Sequence, residues 1–173
     1  MFKFSIGFRL WRACLSPQLG EHPDLTCTVD GTPVLLECKR PLSDRKVPRR
    51  IKEARDRVLA DLKRAAAGAR GAIAISFTKI LDHDDQFLPY SDEAIARARL
   101  DAELVRLAEP TREQWTHLPD EIIAIVFHLM VIAVHASGRF DRLDQLLVYT
   151  VPANRPTHPV ARALGERLKA TVY

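Results

Sequence analysis

Hydrophobic and polar positions change their period several times along this chain, and each change marks an element. Residues 2 to 10 alternate as Phe2, Phe4, Ile6, Phe8 and Leu10, a period of two that predicts a strand, with Arg9, Trp11 and Arg12 offering a competing helical start. Between Asp24 and Lys39 the sequence DLTCTVDGTPVLLECK holds two β-favouring runs around Asp30-Gly31. That pair predicts a hairpin closed by a two-residue turn with both central residues at positive φ. After Pro41 the spacing becomes helical: Val47, Ile51, Ala54, Val58, Leu62 and Ala65 recur every three or four residues, with Ser43 or Asp44 as cap, Pro48 in the first turn and Gly68 as the stop.

Gly71 to Leu81 reads as a buried strand, HDDQFLPYS as a loop, and Ser91 onward as a helix ended by Pro110, followed by a short helix over 111 to 118. The apolar run from Ile122 to Val134 is rich in Ile and Val, which predicts a strand paired with Leu143 to Val151. Pro152, Pro156 and Pro159 mark a rigid connection, and the tail from Pro159 to Lys169 reads as a helix. The order strand, strand, helix, strand predicts an α/β domain, and 173 residues fit one domain over 1 to 173.

Composition narrows the class. With 47% hydrophobic and 28% charged residues and only 7 Gly, disorder and collagen-like repeats are excluded. Cys14, Cys27 and Cys38 form neither a disulfide framework nor a zinc spacing, which favours a reducing, cytoplasmic compartment. The N-terminal residues carry basic side chains among the apolar ones, so no export signal is expected. The run at Ile122 to Val134 is broken by His128 and too short to cross a bilayer, so no membrane partner is expected. His128 and His135 read as core or edge residues.

Charge is uneven. From Lys39 to Arg70 twelve Lys or Arg face four Asp or Glu, a surplus of eight, while the chain as a whole carries +4 and the remainder therefore −4. Such a basic block points to a polyanion, nucleic acid first, with Lys46, Arg49 and Arg50 as candidates for phosphate contact.

The hairpin register gives candidate chemistry. In a two-residue turn Asp24 lies across from Glu37, and two opposed carboxylates repel unless something offsets them. A divalent cation does so, and hard oxygen ligands suit Mg²⁺ or its substitute Mn²⁺. Lys39, on the same face, can contact a phosphate or place the attacking water. Cys38 faces the other way and reads as a small core residue.

Pro23-Asp24, then Glu37-Cys38-Lys39 in a strand, then an amphipathic helix and another strand resemble the PD-(D/E)XK nuclease superfamily. The resemblance covers residues 20 to 81. It implies a restriction-endonuclease-like core, a mixed central β-sheet flanked by helices, with residues 91 to 118 as a helical insertion. It further implies metal-dependent hydrolysis of DNA phosphodiester bonds, with Asp24 and Glu37 as metal ligands, the backbone carbonyl of Cys38 completing the ligation and Lys39 assisting the water. Members carry a helix before the first core strand, often with another acidic residue. Met1 to Gly20 contain none, and Glu21 is the nearest substitute. The expected activity is that of a Mg²⁺-dependent DNA endonuclease; double-strand cutting requires two sites, which makes a homodimer a candidate assembly. The alternatives are a non-catalytic nucleic-acid-binding module or assembly subunit with a nuclease-like fold, and a domain whose basic helix binds an acidic protein.

Overall fold

A computed structural model describes residues 2 to 81, 87 to 151 and 157 to 171. The chain opens with helix α1 (Phe2–Arg12), not a strand. Its even-numbered apolar positions satisfy either period, but burial decides between them: Ile6 and Leu10, four apart, are fully buried, whereas Phe8 is 57% and Trp11 64% exposed. A strand would have buried Phe8 with Ile6 and Leu10 on one face.

Strands β1 (Gln18–Leu19), β2 (Leu25–Val29) and β3 (Thr32–Lys39) follow as an antiparallel meander. The β2–β3 hairpin turns at Asp30 (φ 47°) and Gly31 (φ 79°), both in the left-handed region that a primed turn demands. Its register pairs Val29 with Thr32 and Leu25 with Leu36, as the Asp-Gly position predicts. A 3₁₀ turn (Asp44–Lys46) leads into α2 (Val47–Leu62). Lys46 occupies the cap position and neither Ser43 nor Lys46 makes a side-chain cap bond; Pro48 lies in the first turn, where its missing N–H costs nothing. Strand β4 (Arg70–Ser76) runs parallel to β3.

The strand expected to reach Leu81 stops at Ser76, because Thr78–Leu81 form the short helix α3. Of the loop expected at HDDQFLPYS, residues 82 to 86 lie outside the described residues, and the remainder holds strand β5 (Leu88–Tyr90). Helix α4 (Glu93–Ala108) is capped by Asp92, whose Oδ1 accepts from the Ile95 N–H at 3.1 Å, rather than by Ser91. A 3₁₀ turn (Glu109–Thr111) and α5 (Arg112–Thr116) complete this helical segment. Strands β6 (Ile122–His135) and β7 (Phe140–Thr150) form a long antiparallel hairpin, and α6 (Pro159–Lys169) ends the fold. The connection with Pro152 and Pro156 lies outside the described residues.

The described residues thus form a mixed seven-stranded sheet flanked by helices. The order is β1-β2-β3-β4-β6-β7, with β5 continuing the line of β4 along β6 through Leu88↔Ala133 and Tyr90↔His135. Ile6 and Leu10 of α1 and Val160, Leu164 and Leu168 of α6 pack on one face, over Leu25, Leu36, Ala74 and Val126. Ile51, Ala54 and Val58 of α2 and Leu100 and Leu104 of α4 cover the other, over Leu35, Ile73, Ile75 and Phe127. Both faces of β3 are therefore core, and the face that carries Leu35 and Glu37 is covered by α2. No helix among the described residues is long and apolar enough to cross a membrane.

Candidate metal and phosphate site

Alternation along β3 puts Glu37 on the α2 side of the sheet with Leu35, and this carboxylate is completely buried. An isolated buried charge is costly, so its surroundings must answer it. Lys39 Nζ, on the same face and 12% exposed, donates to Glu37 Oε1. Arg57 reaches down from α2 and donates to the same oxygen at 3.4 Å. Glu37 Oε2 is buried and has no hydrogen-bond donor among the described residues. One oxygen of this carboxylate is thus doubly neutralised while the other is presented bare.

Asp24 directly precedes β2, where continuation of the Leu25↔Leu36 register sets it opposite Glu37. Its Oδ2 accepts the backbone N–H of Cys38 at 2.9 Å, and its Oδ1 lies 3.7 Å from Lys3 Nζ of α1. The N–H and C=O of one extended residue point to the same side of a strand, so the Cys38 carbonyl also faces Asp24. Gly20 fixes the approach: its N–H donates to the Asp24 carbonyl at 3.1 Å, and its own carbonyl accepts from Lys3 Nζ at 3.1 Å. The chain from Gly20 to Asp24 is closed on itself and pinned to α1.

The Cys38 side chain packs toward the α1 core, and burial first, then the Asp24 and Glu37 carboxylates, push its thiol well above the usual range. Burial likewise raises Cys27 to about 12. Neither thiol is a nucleophile at neutral pH. Among the described residues no three or more His, Cys, Asp or Glu side chains converge on one point, so exposed Glu21 is not gathered with Asp24 and Glu37. A cation at Glu37 Oε2 would therefore find at most one further side-chain carboxylate, that of Asp24, and hard oxygen donors of this kind are those that suit Mg²⁺.

The basic residues divide. Lys46 is exposed at the entry to α2. Arg49 and Arg50 both pair with Glu53, at 2.8 and 2.6 Å, and these hydrogen bonds, Arg49's first, hold the Glu53 carboxyl below its ordinary range. Arg57, one heptad after Arg50 and so on nearly the same stripe of α2, is the basic residue of that helix that meets Glu37. Its spacing from Arg50 is the signal in the sequence that marks it. Lys3 carries no comparable signal, since only the folding of α1 against the β2 end brings it to Asp24.

No family model, curated protein or solved structure matches this chain.

Proposed function

We propose that the chain is a Mg²⁺-dependent deoxyribonuclease that hydrolyses DNA phosphodiester bonds at Asp24, Glu37 and Lys39, in the manner of the PD-(D/E)XK nucleases it resembles. The observation that carries this reading is Glu37: a fully buried carboxylate with one oxygen neutralised by Lys39 and Arg57 and the other lacking a donor. A cation is the natural complement of that bare oxygen. Asp24 supplies the second carboxylate, held by the Cys38 amide so that it need not be ordered on binding. The Cys38 carbonyl lies on the same side as a further oxygen ligand. When bound, Mg²⁺ supplies positive charge to the scissile phosphate and acidifies a water.

Lys39 then exchanges its contact with Glu37 for the attacking water or a phosphate oxygen, and Arg57, exposed along the outer part of its side chain, contacts the flanking backbone. Lys46, Arg49 and Arg50 extend the positive track along α2, supplying sequence-independent affinity for DNA. Incubating supercoiled and linear DNA with the protein tests this reading. Cutting with Mg²⁺ or Mn²⁺ is expected, with none in EDTA and none from Asp24→Asn, Glu37→Gln or Lys39→Met.

One observation favours a second reading, a non-catalytic nucleic-acid-binding module: the Lys39 ammonium already neutralises Glu37 Oε1. DNA bound with steep salt dependence, and left uncut in every metal, selects it over the nuclease.

A further inference from the structure

On the opposite face of the sheet, under α1, the carboxyl ends of β4 and β6 border a cleft of about 220 Å³. Ser76, Thr78 and His128 form its floor, Met130 and Ile132 an apolar wall, and Ser5, Arg40 and Arg142 complete the lining. The floor is a connected polar chain. The Met130 N–H donates to Thr78 Oγ1 at 3.0 Å, the Thr78 and Ser76 hydroxyls lie 3.1 Å apart, and Ser76 Oγ is 3.0 Å from His128 Nδ1. His128 Nε2 in turn lies 2.8 Å from Asp144 Oδ1. A carboxylate only accepts, so Nε2 carries the proton that faces Asp144. The hydroxyls of the floor are thus satisfied from within.

The charge is not. Asp144 is met by Arg9 at 2.9 Å and by Arg142 at 3.2 Å, and Arg142 also donates to Ser5 Oγ at 3.2 Å. Arg40 is exposed and pairs with no carboxylate among the described residues. Arg9 and Arg142 thus meet one carboxylate while Arg40 adds a third guanidinium on the cleft lining, a surplus of two positive charges beside an apolar wall. Guanidinium forks match carboxylate and phosphate oxygens. The volume lies below the roughly 300–1,000 Å³ of sites that hold drug-sized molecules, so the ligand is small.

We propose that this cleft binds a small organic anion, a carboxylate or phosphate head on a short apolar body, with Arg40 and Arg142 gripping the head and Met130 and Ile132 packing against the body. The site is separate from Glu37 and Lys39, which lie on the α2 face, and stands whether or not the chain cuts DNA.

Titrating the full chain with octanoate, phenyl phosphate and neutral octanamide, followed by amide chemical shifts and calorimetry, tests it. At least one of the two anions should bind saturably with shifts at Ser76 to Thr78 and Met130 to Ile132, and octanamide should bind roughly tenfold more weakly. The tighter of the two anions assigns the head group. Arg40→Gln should weaken that anion roughly tenfold while leaving the unfolding midpoint unchanged, since the exposed Arg40 side chain pairs with no carboxylate among the described residues. No saturable binding of either anion, octanamide binding as tightly as octanoate, or unaltered affinity in Arg40→Gln each overturns the proposal.

Discussion

The Asp24 carboxylate accepts the backbone N–H of Cys38 at 2.9 Å, which ties the entry of β2 to the strand that carries Glu37. This bond separates two roles of one side chain. Asn keeps an acceptor oxygen but loses the charge, so Asp24→Asn should unfold in urea within about 0.5 kcal/mol of the parent. Asp24→Ala removes the acceptor from a half-buried amide and should cost about 1 to 2 kcal/mol. Both should fail to cut DNA, and Asp24→Asn would do so with its fold intact, which assigns the loss to charge.

Gly20 is a second determinant of the same geometry. A Cβ at Gly20 would stand 2.6 Å from the Pro23 carbonyl oxygen, a backbone atom that cannot move aside without shifting Asp24. Gly20→Ala should therefore lower the unfolding free energy by about 1 to 3 kcal/mol and depress DNA cutting beyond what the lost stability explains. Thermal melts paired with cleavage rates below the melting range check both parts. A variant as active and as stable as the parent would show that the 20 to 24 segment tolerates a different path.

How much of this could be read from the sequence depends on whether a feature was set by neighbours in the chain or by packing. The hairpin register was legible because Asp30-Gly31 alone dictates the turn, and every opposed pair up to Leu25↔Leu36 follows from it. The long β6–β7 pair was legible from its Ile and Val content. Helix α1 was not, since its alternating apolar residues fit two periods and only contact with α6 and β2 selects one. The burial of Glu37 was also hidden: the pattern placed it on the face of Leu35, but not that α2 closes over that face. Ser76, His128 and Asp144 belong to three strands, and nothing local in the sequence announces their meeting.

The Lys39 and Glu37 pair predicts a non-additive stability cycle. Lys39→Met leaves the Glu37 charge buried with only the longer Arg57 contact, and should cost about 3 kcal/mol in denaturant unfolding. Combining it with Glu37→Gln removes the stranded charge and should restore most of that loss. Equal and additive losses in the two single variants and the double would mean that the pair is not coupled.

Glu53 holds both Arg49 and Arg50 on the surface of α2, so it should restrain DNA binding. Glu53→Gln frees two guanidinium groups and is expected to tighten binding and to steepen its salt dependence. Arg49→Ala or Arg50→Ala should each flatten the slope of log affinity against log salt by about 1 if that residue contacts phosphate. Fluorescence anisotropy across a salt series measures all three.

Acid stability should report on the cluster beneath α1. Burial alone would raise the Asp144 carboxyl, but the hydrogen bond and charge of His128, joined by Arg9, bring it from the ordinary 3.8 down to about 2. Because the folded value lies below the unfolded one, the stabilisation is complete above about pH 4 and is lost as the pH falls toward 2. The amount is roughly 2 kcal/mol, the free energy equivalent of that displacement. Asp144→Asn should be less stable than the parent at neutral pH and should show a shallower fall of unfolding free energy between pH 4 and pH 2. Urea titrations at half-unit pH steps measure that slope. An unchanged slope in Asp144→Asn would mean that other carboxylates, not this cluster, set the acid limit of the fold.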